Sequence, residues 1–522
     1  MGCFEEIDVN GDKVAREAAE CSALNISSEE TVQDTMLEVV WEPDDPQNPL
    51  NFSAFRKWVA TIITSVGALC VAMSSSIYTA TYDDLEEEFG VNEITVITGL
   101  TVFVFGMGAG PMFYAPLSEF YGRRIIYLVS FFFYLAFQFP VAFGHNIVSI
   151  LVNRLLSGLS GSAFMSVAGG TVSDMFSKSQ LGMPMMVFTA SPFLGPCLGP
   201  LLGDFIVHGR SWRWVFYIMI IWTFTMLTLI FFFVPETYSP VLLRWRAQKL
   251  RKSTGNQSYY APIEKDQRSI LATVVTSVKR PFQLLFMEVM VFFLCLYTAF
   301  ILGVMYLFFE AFPLVFKNNH NFKSQYVGLT FLGLLTGILL GVSTEPYWRS
   351  QYTKLSLKKG AARPEFRLPQ AMVGSLFVPV AMFWFSFTTY KSVHYMVPIV
   401  AGLPFGFGII LVFSGVFTYL VDAYRPYSAS ALAANGFLRS SFAAAFPLFS
   451  VQMYNKLGYA WASALLSFII LASAPSPFLF YKYGEYLRSR SKFAWTNSDL
   501  KADQGISSAE SVDPKSERIE RA

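Results

Sequence analysis

The stretch APLSEFYGRR, Ala115–Arg124, lies between two long apolar runs, ITVITGLTVFVFGMGAGPMFY upstream and IIYLVSFFFYLAFQFPVAF downstream. Each run is close to the roughly 20 residues that a helix needs to cross a hydrocarbon core of about 30 Å. Glu119, Arg123 and Arg124 therefore stand at a tight turn between two membrane-crossing helices, where Gly122 supplies the conformational freedom. A carboxylate and two arginines at such a turn suggest a charged contact rather than a simple connection, because Glu119 and Arg123 can pair with each other or with a neighbouring helix.

Outward from this turn the pattern repeats. Twelve spans are expected: Trp58–Tyr82, Ile94–Tyr114, Ile125–Phe143, Ile147–Val172, Met183–Ile206, Trp212–Val234, Leu284–Val315, Val327–Val342, Pro369–Thr389, Met396–Leu420, Ser428–Val451 and Tyr459–Tyr481. The chain of 522 residues is 53% hydrophobic and only 15% charged, against about a quarter charged in a soluble chain. The expectation is an all-α integral membrane protein of twelve transmembrane helices in two six-helix bundles. Its parts are a polar tail over 1–56, a first bundle over 57–236, a central loop over 237–283, a second bundle over 284–483 and a polar tail over 484–522.

Sidedness follows from the basic loops. With both termini inside, the inner loops collect Arg56 and Lys57, Arg123 and Arg124, RWRAQKLRK, WRSQYTKLSLKKGAARPEFR and YLRSRSK, while the acidic DDLEEEFGVNE falls outside. The sequons at Asn25, Asn51 and Asn256 then lie inside and are expected to stay unglycosylated. The opening MGCFEEIDVNGDKV is too polar for a cleavable leader, and Glu6 stands where an acylation signal needs Ser or Thr. A net charge of +2 argues against nucleic acid as a partner. Five scattered cysteines form neither a disulfide framework nor a metal site. No cofactor and no metal are expected, and no nucleophile–base motif points to an enzyme. The four histidines, His145, His208, His320 and His394, all fall at outer loops or span ends and read as surface residues.

APLSEFYGRR resembles the signature turn of the major facilitator superfamily, Gly-x-Leu-Ser/Ala-Asp/Glu-x-x-Gly-Arg-Arg/Lys, with Ala115 in place of the first glycine. The resemblance implies that Glu119, Gly122, Arg123 and Arg124 belong to a cytosolic gate, and Asp174 at the inner end of the fourth span is expected to join them against the start of the eleventh. NRLLSGLSGSAF resembles the fourth-span motif of the family, with Arg154 in the hydrocarbon region beside Gly158 and Gly161. A buried arginine costs at least ~2.5–3.5 kcal/mol, so a polar cavity is expected around it.

SPFLGPCLGPLLGDF in the fifth span carries Gly195, Gly199 and Gly203 every four residues, interleaved with Pro192, Pro196 and Pro200. It resembles the Gly-Pro-x-x-Gly motif that marks antiporters of the superfamily. The bare glycine face is expected to seal a helix contact, so that valine there opens a leak between the bundles. WEPDDPQNPLNFSAFRKW, VPETYSPVLLRWRAQKLRKSTG, PEFRLPQAMVGSLFVP and TYLVDAY resemble the fungal branch of twelve-span drug:proton antiporters. One departure is Val289, where many relatives have proline, and a straighter start to the seventh span is expected there. TVSDMF and YLVDAY end the fourth and tenth spans and place Asp174 and Asp422 at matching points, a short echo between two related halves.

Arg154 and Glu310 are the proton-coupling candidates. Glu310 lies in YLFFEAFPLVF among Phe308, Phe309 and Phe312, while Asp204 reads as a loop-facing acid. The substrate cavity is expected to draw on Tyr78, Tyr297, Tyr306, Asn435 and Arg439, stacking surfaces suited to amphipathic aromatic compounds. Arg439 either compensates a carboxylate or meets an anionic substrate. The resemblance implies a monomeric plasma-membrane exporter of drugs, toxins or polyamines driven by protons. An uptake carrier of the same fold fits the fifth span less well, and a transporter-like nutrient receptor would carry longer tails than 56 and 39 residues.

Overall fold

The computed structural model describes residues 37–494 apart from 43, 178–179, 266–269 and 360–362. Eleven helical stretches among the described residues are long and apolar enough to cross a membrane. They are the first span Ala54–Phe89, second Glu93–Tyr121, third Arg123–Ala142, fourth Ile147–Met175, fifth Gly182–Gly209 and sixth Arg213–Phe233. The second half contributes the seventh Val289–Asn318, eighth Ser324–Lys359, ninth Pro364–Phe387, tenth Met396–Ala423 and twelfth Tyr459–Arg490. The eleventh place is taken by Ser428–Leu457, a 30-residue helix whose Asn435, Arg439 and serines lower its apolar content. It packs on the seventh span and on the second.

The helices group into two halves. The first span packs on the fifth, the second on the fourth and the third on the sixth, while the tenth packs on both eighth and ninth and the ninth on the twelfth. Second with eleventh and fifth with eighth join the halves. Large apolar side chains such as Phe132, Ile221, Phe224, Phe232 and Trp461 remain exposed on the outer helix surfaces, as lipid demands of a helix whose backbone is satisfied internally.

One end of the helices is rich in arginine (Arg123, Arg367, Arg488) and the other in carboxylates (Asp83, Glu86, Glu88); they are called the basic and acidic ends below. At the basic end the echo between Asp174 and Asp422 becomes a repeated contact. Arg123 Nε donates to Asp174 Oδ2 at 3.2 Å where the third span starts and the fourth ends. Arg367 Nε donates to Asp422 Oδ2 at 2.9 Å where the ninth starts and the tenth ends.

The seventh span does not begin straighter. The helix Ile270–Met287 stops and the next starts at Val289, with Glu288 between them in an extended conformation. Proline is not needed for this break, because the Glu288 carboxylate is held from two sides, by the Tyr424 hydroxyl at 3.0 Å and the Ser491 hydroxyl at 2.7 Å.

The stretch expected as a central loop is not featureless. Among the described residues, one compact unit comprises parts of 37–45 and 239–265, and within it Leu37–Glu38 pairs in parallel with Tyr259–Tyr260 beside the helix Ser239–Thr254. Val39, Ala247 and Ala261 form its small core, and ion pairs Arg246–Asp45 and Arg251–Glu264 close it. The other unit, among the described residues of 46–238 and 270–494, contains the eleven apolar spans and Ser428–Leu457.

Candidate functional site

At the basic end the turn of APLSEFYGRR is built around a residue that sequence reasoning did not single out. Glu236, just beyond the sixth span and 6% exposed, accepts four backbone N–H groups. Oε1 receives Arg123 N at 2.8 Å, Thr237 N at 3.0 Å and Tyr238 N at 2.9 Å, and Oε2 receives Arg124 N at 3.1 Å. The third span starts at Arg123, so this carboxylate satisfies orphan donors of a helix N-terminus and meets the positive end of its dipole. Gly122 adopts φ 96°, and a Cβ on it would sit 2.3 Å from Glu236 Oε2. Glycine is required there twice, for the backbone and for the carboxylate.

Arg123 reaches Asp174, donates to Ser118 Oγ at 2.6 Å and lies over the Tyr238 ring at 4.7 Å. Gly170 leaves room for its guanidinium, since a Cβ there would lie 2.9 Å from Arg123 Cζ. Glu119 is not part of this cluster by contact. It is exposed and has no hydrogen bond or ion pair among the described residues, because Arg123 turns toward the fourth span. Arg124 instead donates to the Phe231 carbonyl at 2.7 Å and ties the third span to the sixth. Nor does the turn meet the eleventh span alone: the helix Ile270–Met287 packs against both Pro111–Tyr121 and the eleventh span.

In the centre, Arg154 is 2% exposed and bonds to carbonyls rather than to an acid. Nε donates to Gly99 O at 3.1 Å, Nη1 to Ser74 O at 2.9 Å and Nη2 to Ser75 O at 3.3 Å. Its faces lie against Tyr78 at 4.2 Å and Phe103 at 4.4 Å. Both serine carbonyls lie within the three residues before Ile77–Thr81, where the first span tightens to a 3-10 helix. The expected polar cavity is replaced here by a ring-and-carbonyl cage joining the first, second and fourth spans.

The expected cavity residues are divided. Tyr78 hydrogen-bonds to Val96 O and belongs to that cage. The Tyr306 hydroxyl meets Ser75 Oγ at 3.0 Å and links the two halves at mid-depth. Asn435 Nδ2 donates to Thr298 Oγ1 at 2.7 Å, while the buried Tyr297 hydroxyl, Asn435 Oδ1 and Arg439 Nε have no partner. Arg439 faces Phe413 and Phe417 of the tenth span, at 5.7 and 5.1 Å.

The glycines of the fifth span pack on the first span, within one half. A Cβ on Gly195 would meet Ala72 Cβ at 2.6 Å, on Gly199 Ser76 Oγ at 2.0 Å and on Gly203 Ala80 Cβ at 2.8 Å. The expected leak between the bundles is therefore misplaced for this face. The contact across the halves uses the proline side: a Cβ on Gly328 of the eighth span would lie 2.4 Å from Pro200 O. Pro196 is buried in the same helix, and such prolines remove ladder hydrogen bonds and bend it.

At the acidic end a cavity of about 310 Å³ opens between the halves. Carboxylates from the first, second, fifth and seventh spans line it, among them Asp83, Glu86, Glu93, Asp204 and Glu310. Asp204, expected to face a loop, thus faces this cavity. Lys317 pairs with Asp83 at 3.1 Å across the halves. Glu310 is 6% exposed, and its Oε1 is buried without a partner. Tyr82 lines the same wall.

The sequence profile of the Major Facilitator Superfamily matches residues 64–447. The chain is a member of this superfamily. As a facilitator it is 48% identical to an efflux pump, atB, of Aspergillus terreus over 86% of its own length and 88% of the relative's. It is 40% identical to a multidrug transporter, mdrA, of Aspergillus fumigatus over 92% and 80% of the two chains. It is 39% identical to a probable drug/proton antiporter, YHK8, of Saccharomyces cerevisiae over 94% and 96%. The fold is likewise that of the inward-open xylose transporter XylE of E. coli, with a TM-score of 0.58 at 14% identity over 85% of this chain and 99% of that one. Within this facilitator the signal that could have found Glu236 was present in VPETYSP: an acid directly after an apolar span, next to a turn rich in N–H donors.

Proposed function

We propose that this facilitator exports amphipathic small molecules by proton antiport with alternating access, the basic end facing the cytosol and the acidic end facing outward at the plasma membrane. The relatives named as an efflux pump, a multidrug transporter and a drug/proton antiporter support the export reading. The loop charges support the orientation, with both termini cytosolic. The observation that carries proton coupling is Glu310, a buried carboxyl group whose Oε1 has no hydrogen-bond partner, on the wall of a cavity rich in other carboxylates.

Burying an ion without a counter-ion is costly, so Glu310 enters the closed pathway most cheaply as the neutral acid. The acidic cavity concentrates protons at the outer mouth. Opening toward the outside wets Glu310 and loads it; opening toward the cytosol lets it release the proton while substrate enters. Proton coupling of this kind uses one element in two arrangements. Arg154 supports it by fixing the first, second and fourth spans around Ser75, which touches Tyr306 of the other half. The contacts Arg123–Asp174 and Arg367–Asp422 serve as matched latches at the cytosolic end. A single chain holds the pathway, and a monomer is sufficient.

The test is flux into inside-out vesicles that contain the full-length protein, with and without an imposed proton gradient. Suitable probes are 1-naphthalenesulfonate, 1-naphthalenemethanol and 1-naphthylmethylammonium. Gradient-dependent accumulation of at least one probe is expected; equal accumulation with and without the gradient for all three would overturn the proposal.

A further inference from the structure

The acidic groups of the membrane body are gathered at its two ends, and its centre is cationic. Glu236, Glu288 and Glu365 are engaged at the basic end with backbone N–H groups, hydroxyls and Arg488. Glu310 lies at the acidic cavity. Between them stand two guanidinium groups, and they differ in kind. Arg154 is enclosed by three carbonyls and two rings. Arg439 has no hydrogen bond and no ion pair to any described residue, and its Nε is sealed from water without a partner.

Arg439 is only half-buried, and a counter-ion among the described residues is what its guanidinium lacks. Three features around Arg439 describe that missing component. The rings of Phe413 and Phe417 flank the guanidinium and offer flat surfaces. Gly436, one turn before Arg439, has open space where a side chain would be, with nothing within 4 Å of an added Cβ. Asn435 and Tyr306 bring polar atoms from the eleventh and seventh spans to the same region.

We propose that Arg439 anchors the anionic group of a planar aromatic substrate, whose ring stacks on Phe413 and Phe417 and extends over Gly436. The inference deepens the export reading by assigning its substrate class, and rests on it only for the direction of transport. A guanidinium presents paired donors that match a carboxylate or sulfonate in two parallel hydrogen bonds. Charge balance in the centre is then restored by the cargo. The neutral alcohol and the cation of the same ring lack that gain, and the cation is repelled by Arg439 as well.

Binding of the three naphthalene probes to the purified full-length protein in detergent tests the assignment without requiring transport. The sulfonate is expected to bind at least tenfold more tightly than the alcohol, and the ammonium most weakly. Arg439→Gln is expected to remove the preference while leaving alcohol binding within about twofold, and Arg439→Lys to restore part of it; alcohol binding confirms that each variant is folded. Equal affinity for the three probes, absent sulfonate binding, or an anion preference that survives Arg439→Gln would overturn the inference. Sulfonate binding without gradient-driven flux of any probe would leave the site standing and overturn proton-driven export. Gradient-driven flux of the alcohol without an anion preference would do the reverse.

Discussion

Gly122 and Glu236 exclude each other's enlargement: the position a Cβ on Gly122 would occupy is 2.3 Å from Glu236 Oε2. The carboxylate sits there because it binds the N–H groups of Arg123, Arg124, Thr237 and Tyr238. The turn between the second and third spans is thus clasped by the end of the sixth.

Replacing Glu236 with Gln removes the charge and turns one acceptor into a donor that faces N–H groups. Hydrogen bonds to charged groups are worth about 1.5–3 kcal/mol each, so a loss of order 2 kcal/mol is expected. Gly122→Ala is expected to cost at least as much, through the φ of 96° and the clash together. Thermal unfolding of the purified variants checks both, and melting temperatures equal to the wild type would remove Glu236 from its capping role.

For the charges of APLSEFYGRR, the contacts separate two residues that the motif treats alike. Arg123→Ala loses the bond to Asp174 and is expected to slow flux several-fold and increase labelling of single cysteines introduced at the basic end, from the side that this end faces. Glu119→Gln, at a side chain with no hydrogen bond or ion pair among the described residues, is expected to stay within about twofold of the wild type. Equal defects in the two variants would return Glu119 to the gate.

The glycine face of the fifth span makes a prediction with its own rescue. Gly203→Ala brings a Cβ within 2.8 Å of Ala80 Cβ, and Gly contacts of this closeness do not tolerate a methyl group without a shift. Flux is expected to fall at least fivefold in Gly203→Ala and to recover in part when Ala80→Gly is added. A double variant no better than the single would show that the defect arises elsewhere.

Arg154 is expected to fail as lysine. An ammonium cannot reach carbonyls on two helices in a fork or lie flat between Tyr78 and Phe103. Arg154→Lys and Arg154→Ala should both melt lower than the wild type and lose flux. Retention of the wild-type melting temperature in both would show that the cage does not contribute to stability.

Much of this was legible in the chain. Apolar length gave the spans, and the turn at Gly122 and the contact between Arg123 and Asp174 could be anticipated because a tight turn and two opposite charges at neighbouring helix ends leave few alternatives. The short repeat TVSDMF and YLVDAY proved to carry the same ion pair in each half. Other features depended on which way a side chain turns. Glu119 and Glu236 are both acids near one turn, and only the path of the backbone decides which of them meets the helix N-terminus. Spacing showed that the fifth span has a bare face, but not that this face meets the first span while Pro200 meets Gly328. Arg154 was recognisable as buried, yet its carbonyl partners arise where the first span tightens at Ile77–Thr81, which no residue pattern announced. The break before Val289 came from Glu288 bonding to Tyr424 and Ser491, residues far along the chain.

The most direct test of the account is Glu310→Gln in reconstituted full-length protein, compared with the wild type in two assays on the best-transported naphthalene probe. One follows exchange of labelled for unlabelled probe without a gradient; the other follows accumulation driven by an imposed proton gradient. The account predicts that exchange persists within about threefold while gradient-driven accumulation is lost, because the amide keeps the shape of the neutral acid but carries no proton to release. Gradient-driven accumulation at the wild-type level in Glu310→Gln would contradict it.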